Sequence, residues 1–210
     1  MWLSYHIPKT AGSSLRRTFE NVLGEKFVLG VYANNGARQL TMGQPIRLPS
    51  HCQLVHGHFR PRSVHLKMFP NAKSIVWLRD PIERIYSLVR HLVQEKGDNA
   101  QYLALRDMYL NKGNISLDDI IFDIITNNTL PTHTNFYTNF FKNINVSDFD
   151  FVGSVHRYDK DIKELGLLMN CELDCQYINV RSQNNHINQS TYGELKECLK
   201  HEYDLVGDYL

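Results

Sequence analysis

Residues 2–15, WLSYHIPKTAGSSL, set an apolar run, a loop of small residues and a helix start in immediate succession. Trp2 to Ile7 reads as a buried strand, PKTAGSS turns the chain, and from about Ser13 to Leu23 the residues Leu15, Phe19, Val22 and Leu23 recur at helical spacing. A strand feeding a helix through such a loop leaves the unbonded N–H groups of the first helical turn at the strand's carboxyl end, where they can hold an anion. Gly12 permits close backbone approach, Ser13 and Ser14 bring hydroxyls, and Lys9 adds a compact positive charge. Pro8, Lys9, Thr10, Ala11, Gly12, Ser13 and Ser14 therefore form a candidate phosphate loop. It departs from the pattern G-x-x-x-x-G-K-[ST], because Lys9 precedes Gly12. A plain helix cap beside a surface lysine is the competing reading, and the segment alone does not decide between the two.

Outward from this segment, short apolar runs alternate with helical patterns. Strands are predicted at 26–32, 52–59, 74–78, 148–155 and 175–180, and helices at 80–96, 116–126, 158–170 and 191–206. That alternation predicts an α/β, P-loop-like three-layer fold, a central mostly parallel sheet flanked by helices, in one domain over residues 1–210. With 42% hydrophobic and 21% charged residues the chain has ordinary globular composition. Lys and Arg (23) nearly balance Asp and Glu (22), so no global field draws it to nucleic acid or an anionic membrane, and any anion site must be local. No apolar run approaches a membrane span, and MWLSYHIPKT lacks the features of a signal peptide, so a cytoplasmic chain without a membrane segment is expected. Cys52, Cys171, Cys175 and Cys198 are too irregularly spaced for a disulfide framework and read as buried reduced thiols.

A second anion feature follows the clearest strand, SIVWL. In RDPIERIYS, residues 79–87, Asp80 is placed to cap a helix, Pro81 to occupy its first position and Glu83 to complete a capping box. Arg79 stands at the carboxyl end of the strand, where open α/β sheets bind ligands, and Ser87 lies two turns on, with Arg84 and His91 on the polar side of the helix. Arg79 and Ser87 can thus meet one phosphate; a local ion pair of Arg79 with Asp80 or Glu83 is the competing reading. Between the two features, HCQLVHGHFR (51–60) carries His56-Gly57-His58. In extended chain its two rings share one side, Gly57 allows a substrate close, and a neutral imidazole is the usual base for an alcohol. A metal site using His51 and His65, and plain loop histidines, are the alternatives; no acidic or thiol ligand at a suitable spacing completes the metal site.

Taken together, HIPKTAGSSL and RDPIERIYS resemble the two nucleotide motifs, P-K-[TS]-G-[GT]-[ST] and R-D-P-x-x-R-x-x-S, of the sulfotransferases that use 3′-phosphoadenosine 5′-phosphosulfate (PAPS). Their order and strand contexts agree, and GSVHRYD (153–159) is similar to a later strand-to-helix junction of that family. Through H-x-H the chain looks most like the membrane-associated glycan branch, the heparan and uronyl 2-O-sulfotransferases. The resemblance implies PAPS as co-substrate, adenosine 3′,5′-bisphosphate as product, no metal, and a hydroxyl acceptor that is a carbohydrate of glycosaminoglycan type. It implies His58 as base, His56 in support, Lys9 and the loop on the phosphosulfate, Arg79 and Ser87 on the 3′-phosphate, and Arg181 with Ser182 closing over the nucleotide. Ala11 departs from the glycine of many members, which is accommodated provided its φ is not positive. A Golgi-lumen location is expected instead if an N-terminal anchor has been removed from the chain.

Arg60, Arg62, Lys67 and Arg90 are candidates to face an anionic acceptor, against the simpler reading of each as solvated surface charge. Phe136, Tyr137, Phe140 and Phe141 read as core. Glu83, His91 and His133 stand as alternative bases. Two functions of other kinds remain at this level: a P-loop kinase, which lacks the expected lysine position and a magnesium partner, and a non-catalytic nucleotide- or sulfated-glycan-binding module.

Overall fold

The computed structural model describes residues 1–113, 115–178 and 189–210. In chain order these form β1 (Trp2–Tyr5), α1 (Gly12–Leu23), β2 (Val28–Val31), α2 (Ala37–Thr41), β3 (Leu54–Gly57), α3 (His65–Met68), β4 (Lys73–Leu78) and α4 (Pro81–Glu95). There follow α5 (Ala100–Met108), α6 (Leu117–Thr126), α7 (Pro131–Thr134), α8 (Phe136–Phe140), β5 (Phe151–Ser154), α9 (Tyr158–Met169), α10 (Gln189–Cys198) and α11 (Lys200–Val206). Two compact units result: residues 1–79, 139–182 and 208–210, and residues 80–138 and 183–207.

The first unit contains the sheet, ordered β2-β3-β1-β4-β5 with every pairing parallel. Parallel strands are covered on both faces, so they read as unbroken apolar runs: Ile75, Val76, Trp77 and Leu78 are each no more than 1% exposed. On one face Leu54, Ile75 and Trp77 form a single core with Leu15 and Phe19 of α1 and Ile162 and Leu165 of α9. On the other, the Tyr5 ring meets Phe59 at 4.7 Å and Phe149 at 5.5 Å, and its hydroxyl donates to His65 Nδ1 at 2.9 Å. His65 Nε2 in turn donates to the Leu40 carbonyl at 2.9 Å, so this histidine is a buried core residue with both nitrogens engaged.

The second unit has its own core, in which Ile82, Ile85 and Val89 of α4 pack with Ile120 and Ile124 of α6 and Leu195 of α10. Asp80 caps α4 as its sequence predicts, accepting from the Glu83 N–H at 3.0 Å. Its other oxygen accepts from the hydroxyls of Tyr192 (2.6 Å) and Tyr203 (2.7 Å). Glu202, 1% exposed, accepts from the N–H groups of Tyr137 and Thr138 and from the Thr138 hydroxyl at 2.7–2.8 Å.

Several expectations are corrected. Residues 175–178 form no strand: Ser14 and Thr18, one turn apart on α1, hydrogen-bond the backbone at Ile178 and Asp174, holding this segment along the helix instead of in the sheet. Asn179 and Val180 lie outside the described residues. The C-terminal helix is two helices that break at Leu199, and α4 ends at Glu95 because Lys96 itself turns left-handed (φ 47°). Arg84 is not on a polar face. It is 1% exposed, its guanidinium lies 4.3 Å from the Phe136 ring centre, and Nη2 donates to the His133 carbonyl at 2.6 Å. The four cysteines are free, but Cys198 is exposed and the others only half-buried. Among the described residues no helix is long and apolar enough to cross a membrane. Tyr137, Phe140 and Phe141 are buried.

Gly57 serves the sheet. A Cβ there would fall 1.7 Å from the Val31 carbonyl oxygen of β2, so the close neighbour at this glycine is backbone. Gly57→Ala is expected to destabilise the protein by about 3 kcal/mol, lowering the melting temperature by roughly 8 °C. An unchanged melting temperature would exclude this close β2–β3 approach.

Candidate active site

Because all five strands are parallel, their carboxyl ends share one edge of the sheet. From β1 the chain goes to β2, on one side; from β4 it eventually returns as β5, on the other. Adjacent strands whose connections leave in opposite directions open a crevice at their carboxyl ends, and here that crevice lies between β1 and β4. The loop after Tyr5 and the half-buried Arg79 after Leu78 border it.

The loop is strained. Lys9 (φ 73°) and Ala11 (φ 62°) are both left-handed, a conformation uncommon for residues with a Cβ. The condition on which Ala11 could simply replace a glycine is therefore not met, and the surrounding bonds hold it in place. The Thr10 N–H and hydroxyl both donate to the Ile7 carbonyl (3.3 and 2.8 Å), and the Leu15 N–H to the Ala11 carbonyl (3.0 Å). The Thr10 N–H is thus committed within the turn, and the backbone donors of an anion site here are the N–H groups that open α1. The helix that follows has no side-chain cap and no acidic residue in its first turn. Ser13 is exposed, whereas the Ser14 hydroxyl is committed to the Ile178 backbone, donating to O at 3.3 Å and accepting from N–H at 3.0 Å.

Beside the loop stand three imidazoles. His6 follows β1 and His58 follows β3, because the strands end two residues earlier than the sequence suggests. The His6 ring stacks on His56 (5.0 Å between centres, 16°) and meets His58 at 4.5 Å. Tyr32, just past β2, sets its ring edge-on to His58 at 5.0 Å, and the Arg16 guanidinium lies 5.7 Å from the Tyr32 ring while bonding Glu20 at 2.6 Å. His56 is fully buried and shares a 2.9 Å hydrogen bond with the Ser4 hydroxyl. Burial, then the charges of His58 and Arg16, push its pKa down to about 3, against a slight opposing effect of the Gly12 backbone. Burial also holds His6 well below its ordinary value, helped by His56, His58 and Lys9. His58 opens to solvent, yet the protein around its ring still lowers its pKa. Nothing in the sequence pattern singled out His6, Tyr32 or Arg16; H-x-H was the visible signal, and the third ring comes from the neighbouring strand.

Arg60 and Lys67 are exposed and Arg62 half-buried, all in the first unit. In the second unit Ser87 and Glu83 are half-buried on α4, Arg90 lies 4.9 Å from the Tyr86 ring, and His91 pairs with Glu95 at 3.8 Å. His133 is 2% exposed, its pKa pushed to about 4 by burial and then by Arg84. His51 stands edge-on to Phe27. Among the described residues no three His, Cys, Asp or Glu side chains are grouped to hold a metal ion. Arg181 and Ser182 lie outside the described residues.

No protein-family model matches this sequence, and no curated protein matches it. Among solved structures, the chain is similar to a sulfotransferase from Alicyclobacillus acidocaldarius, at 12% identity over 97% of this chain and 93% of that one, with a TM-score of 0.46.

Enclosed neutral histidines make stability depend on pH. A folded-state pKa of about 3 for His56 and about 4 for His133, against an ordinary 6.5, means that the unfolded chain binds more protons below pH 6.5. Their stabilisation is complete above pH 6.5 and is lost as the pH falls. Between pH 7 and 5 each should cost about 2 kcal/mol, a window in which ordinary carboxylates stay ionised. Thermal melting across that range should show a steady fall, and a flat profile would overturn the neutral state of these rings.

Proposed function

We propose that this protein transfers the sulfuryl group of PAPS to a hydroxyl of a carbohydrate acceptor. The observation that supports this reading best is the juxtaposition, at the carboxyl edge of β1 and β3, of the strained, uncapped Lys9–Ser14 loop with a solvent-open imidazole, His58. The resemblance of the two motifs supplies the nucleotide. In the proposed step the acceptor oxygen attacks sulfur in line with the bond to the 5′-phosphate. His58 takes the acceptor proton on an unprotonated ring nitrogen, the S–O bond to the phosphate breaks, and adenosine 3′,5′-bisphosphate leaves. Lys9 and the N–H groups of the loop stabilise the charge that grows on the departing phosphate, which is where fixed donors contribute most.

Within this reading Arg79 and Ser87 are assigned to the 3′-phosphate by their places in R-D-P-x-x-R-x-x-S, and Arg181 to the closing loop. Arg60, Arg62 and Lys67 are assigned to an acidic acceptor. His56 supports His58 from behind, since an enclosed ring bonded to Ser4 does not reach an acceptor. The step balances without a metal ion, and turnover is expected to persist in excess EDTA; loss of activity that zinc restores would return the histidines to a metal site.

His58→Ala should lower turnover by roughly 10² to 10⁴ with bisphosphate affinity nearly unchanged, whereas Lys9→Ala should impair both. Adenosine 3′,5′-bisphosphate should bind more tightly than 5′-AMP by about 1.5–3 kcal/mol, the worth of a charge-assisted contact. Because the His58 pKa lies below 6.5, the acid limb of kcat/KM should also have its midpoint below 6.5. Labelled PAPS with a panel of glycosaminoglycans, desulfated glycans and phenols provides the assay. Equal affinity for the bisphosphate and 5′-AMP would remove Arg79 from the site, and tight bisphosphate binding without turnover on any acceptor would leave a binding module.

A further inference from the structure

His6 takes no part in the step above, yet both halves of the site rest against its ring. Its backbone N–H donates to the Gly57 carbonyl at 2.9 Å, fixing it across the β1–β3 pairing. From there the ring stacks on His56 and meets His58 at 4.5 Å. In the other direction it fills the space in front of Gly12: a Cβ at residue 12 would fall 1.7, 1.9 and 2.3 Å from its Nε2, Cε1 and Cδ2. Atoms in contact sit about 3.5–4 Å apart, so the ring occupies the place of a side chain at residue 12. Gly12 is the first residue of α1 and is not among the residues with positive φ, so its backbone conformation alone would accept alanine. The sequence accounts for this glycine by ligand approach, whereas its neighbour in the structure is His6.

We propose that His6 is a positioning residue, the spacer that fixes the His58 ring against the Lys9–Ser14 loop, and that residue 12 is glycine because the His6 ring stands in its side-chain space. The assignment of His58 as base, on which the catalytic half of this inference rests, is the reading given above; the packing half stands apart from it. His58 is faced by His6 from the β1 edge, by Tyr32 from the β2 edge and by His56 from its own strand. Lys9 acts on His6, and Arg16, held by Glu20, acts on His56. Removing the His6 ring admits water to this side of His58, which favours the charged form and raises its pKa toward the ordinary value.

A double-mutant cycle tests the packing. Gly12→Ala should lower the melting temperature by about 5 °C in the wild-type background and by almost nothing in a His6→Ala background, whereas additive losses would overturn the interlock. His6→Asn replaces His6→Ala in the cycle if the latter does not fold. NMR titration of the His58 ring protons should show a higher midpoint in the His6 variant than in the wild type, and an unchanged midpoint would overturn the spacer role. Neither measurement uses donor or acceptor, so both stand or fail independently of sulfuryl transfer. Where transfer is observed, His6→Ala should lower kcat about tenfold, and the acid limb of its pH profile should move up with the NMR midpoint. Wild-type kcat with a wild-type limb would overturn the positioning role.

Discussion

The parallel pairing of β1 with β3 on one side and β4 on the other governs the first unit. Parallel neighbours lie about 4.8 Å apart, so Tyr5, opposite both Gly57 and Val76, delivers the chain to an edge already occupied by two other exits. With only residues 6–11 available to leave β1 and begin α1, the chain turns sharply, and the cost appears as left-handed Lys9 and Ala11. Strain of this kind amounts to about 1–3 kcal/mol per residue and persists only where the surroundings impose it. Here they do so through the two hydrogen bonds of Thr10 to the Ile7 carbonyl, the apolar anchor of Ile7 itself, and the ring of His6 against Gly12. The same constraint that strains the loop therefore sets the start of α1 at the carboxyl edge of the sheet.

In the second unit two carboxylates have the corresponding role. Asp80 and Glu202 are nearly inaccessible, and each accepts at least three hydrogen bonds, so neither is a bare buried charge. Asp80 joins the start of α4 to Tyr192 and Tyr203, and Glu202 joins α11 to the start of α8. Arg84, equally buried, faces Phe136 and Tyr137, with the charge of Glu202 partly offsetting its loss of water. Thus RDPIERIYS has a division of labour that its spacing conceals. Asp80 and Arg84 serve the packing of their own unit, and the ligand reading rests on Arg79 and Ser87.

What could be read from the sequence follows physical range. The five strands and α1, α4, α6 and α9 were visible because apolar period, capping residues and chain punctuation are local. The Asp80 cap is an instance: its partner Glu83 is three residues away. Signals that arise across the fold were hidden. Residues 175–178 have the composition of a strand, but the Ser14 hydroxyl holds the backbone at Ile178 and the Thr18 hydroxyl the adjoining Asp174 carbonyl. Arg84 carries a charge and so reads as surface, although the aromatic residues near 136 take it in. At the candidate site H-x-H was legible, while His6 and Tyr32 enter from two other strands and only the register of the sheet brings them together.

Three imidazoles, two of them packed against the ring of His6, impose a further restriction. A positive charge on any one raises the cost of a second, and the guanidinium of Arg16 and the ammonium of Lys9 add to that cost, so the cluster is held neutral near pH 7. Neutral rings keep an acceptor nitrogen, which a base requires, but they are poor at retaining the proton they accept. For fully buried His56 this keeps the ring neutral near pH 7, and half-buried His6 is pushed in the same direction. His58 is different because it is exposed, so a proton taken there has a route out, and the lowered pKa favours its release. In the proposed transfer, the features that keep the base available therefore also reset it: burial on one side ensures neutrality before the step, and exposure on the other discharges the proton after it.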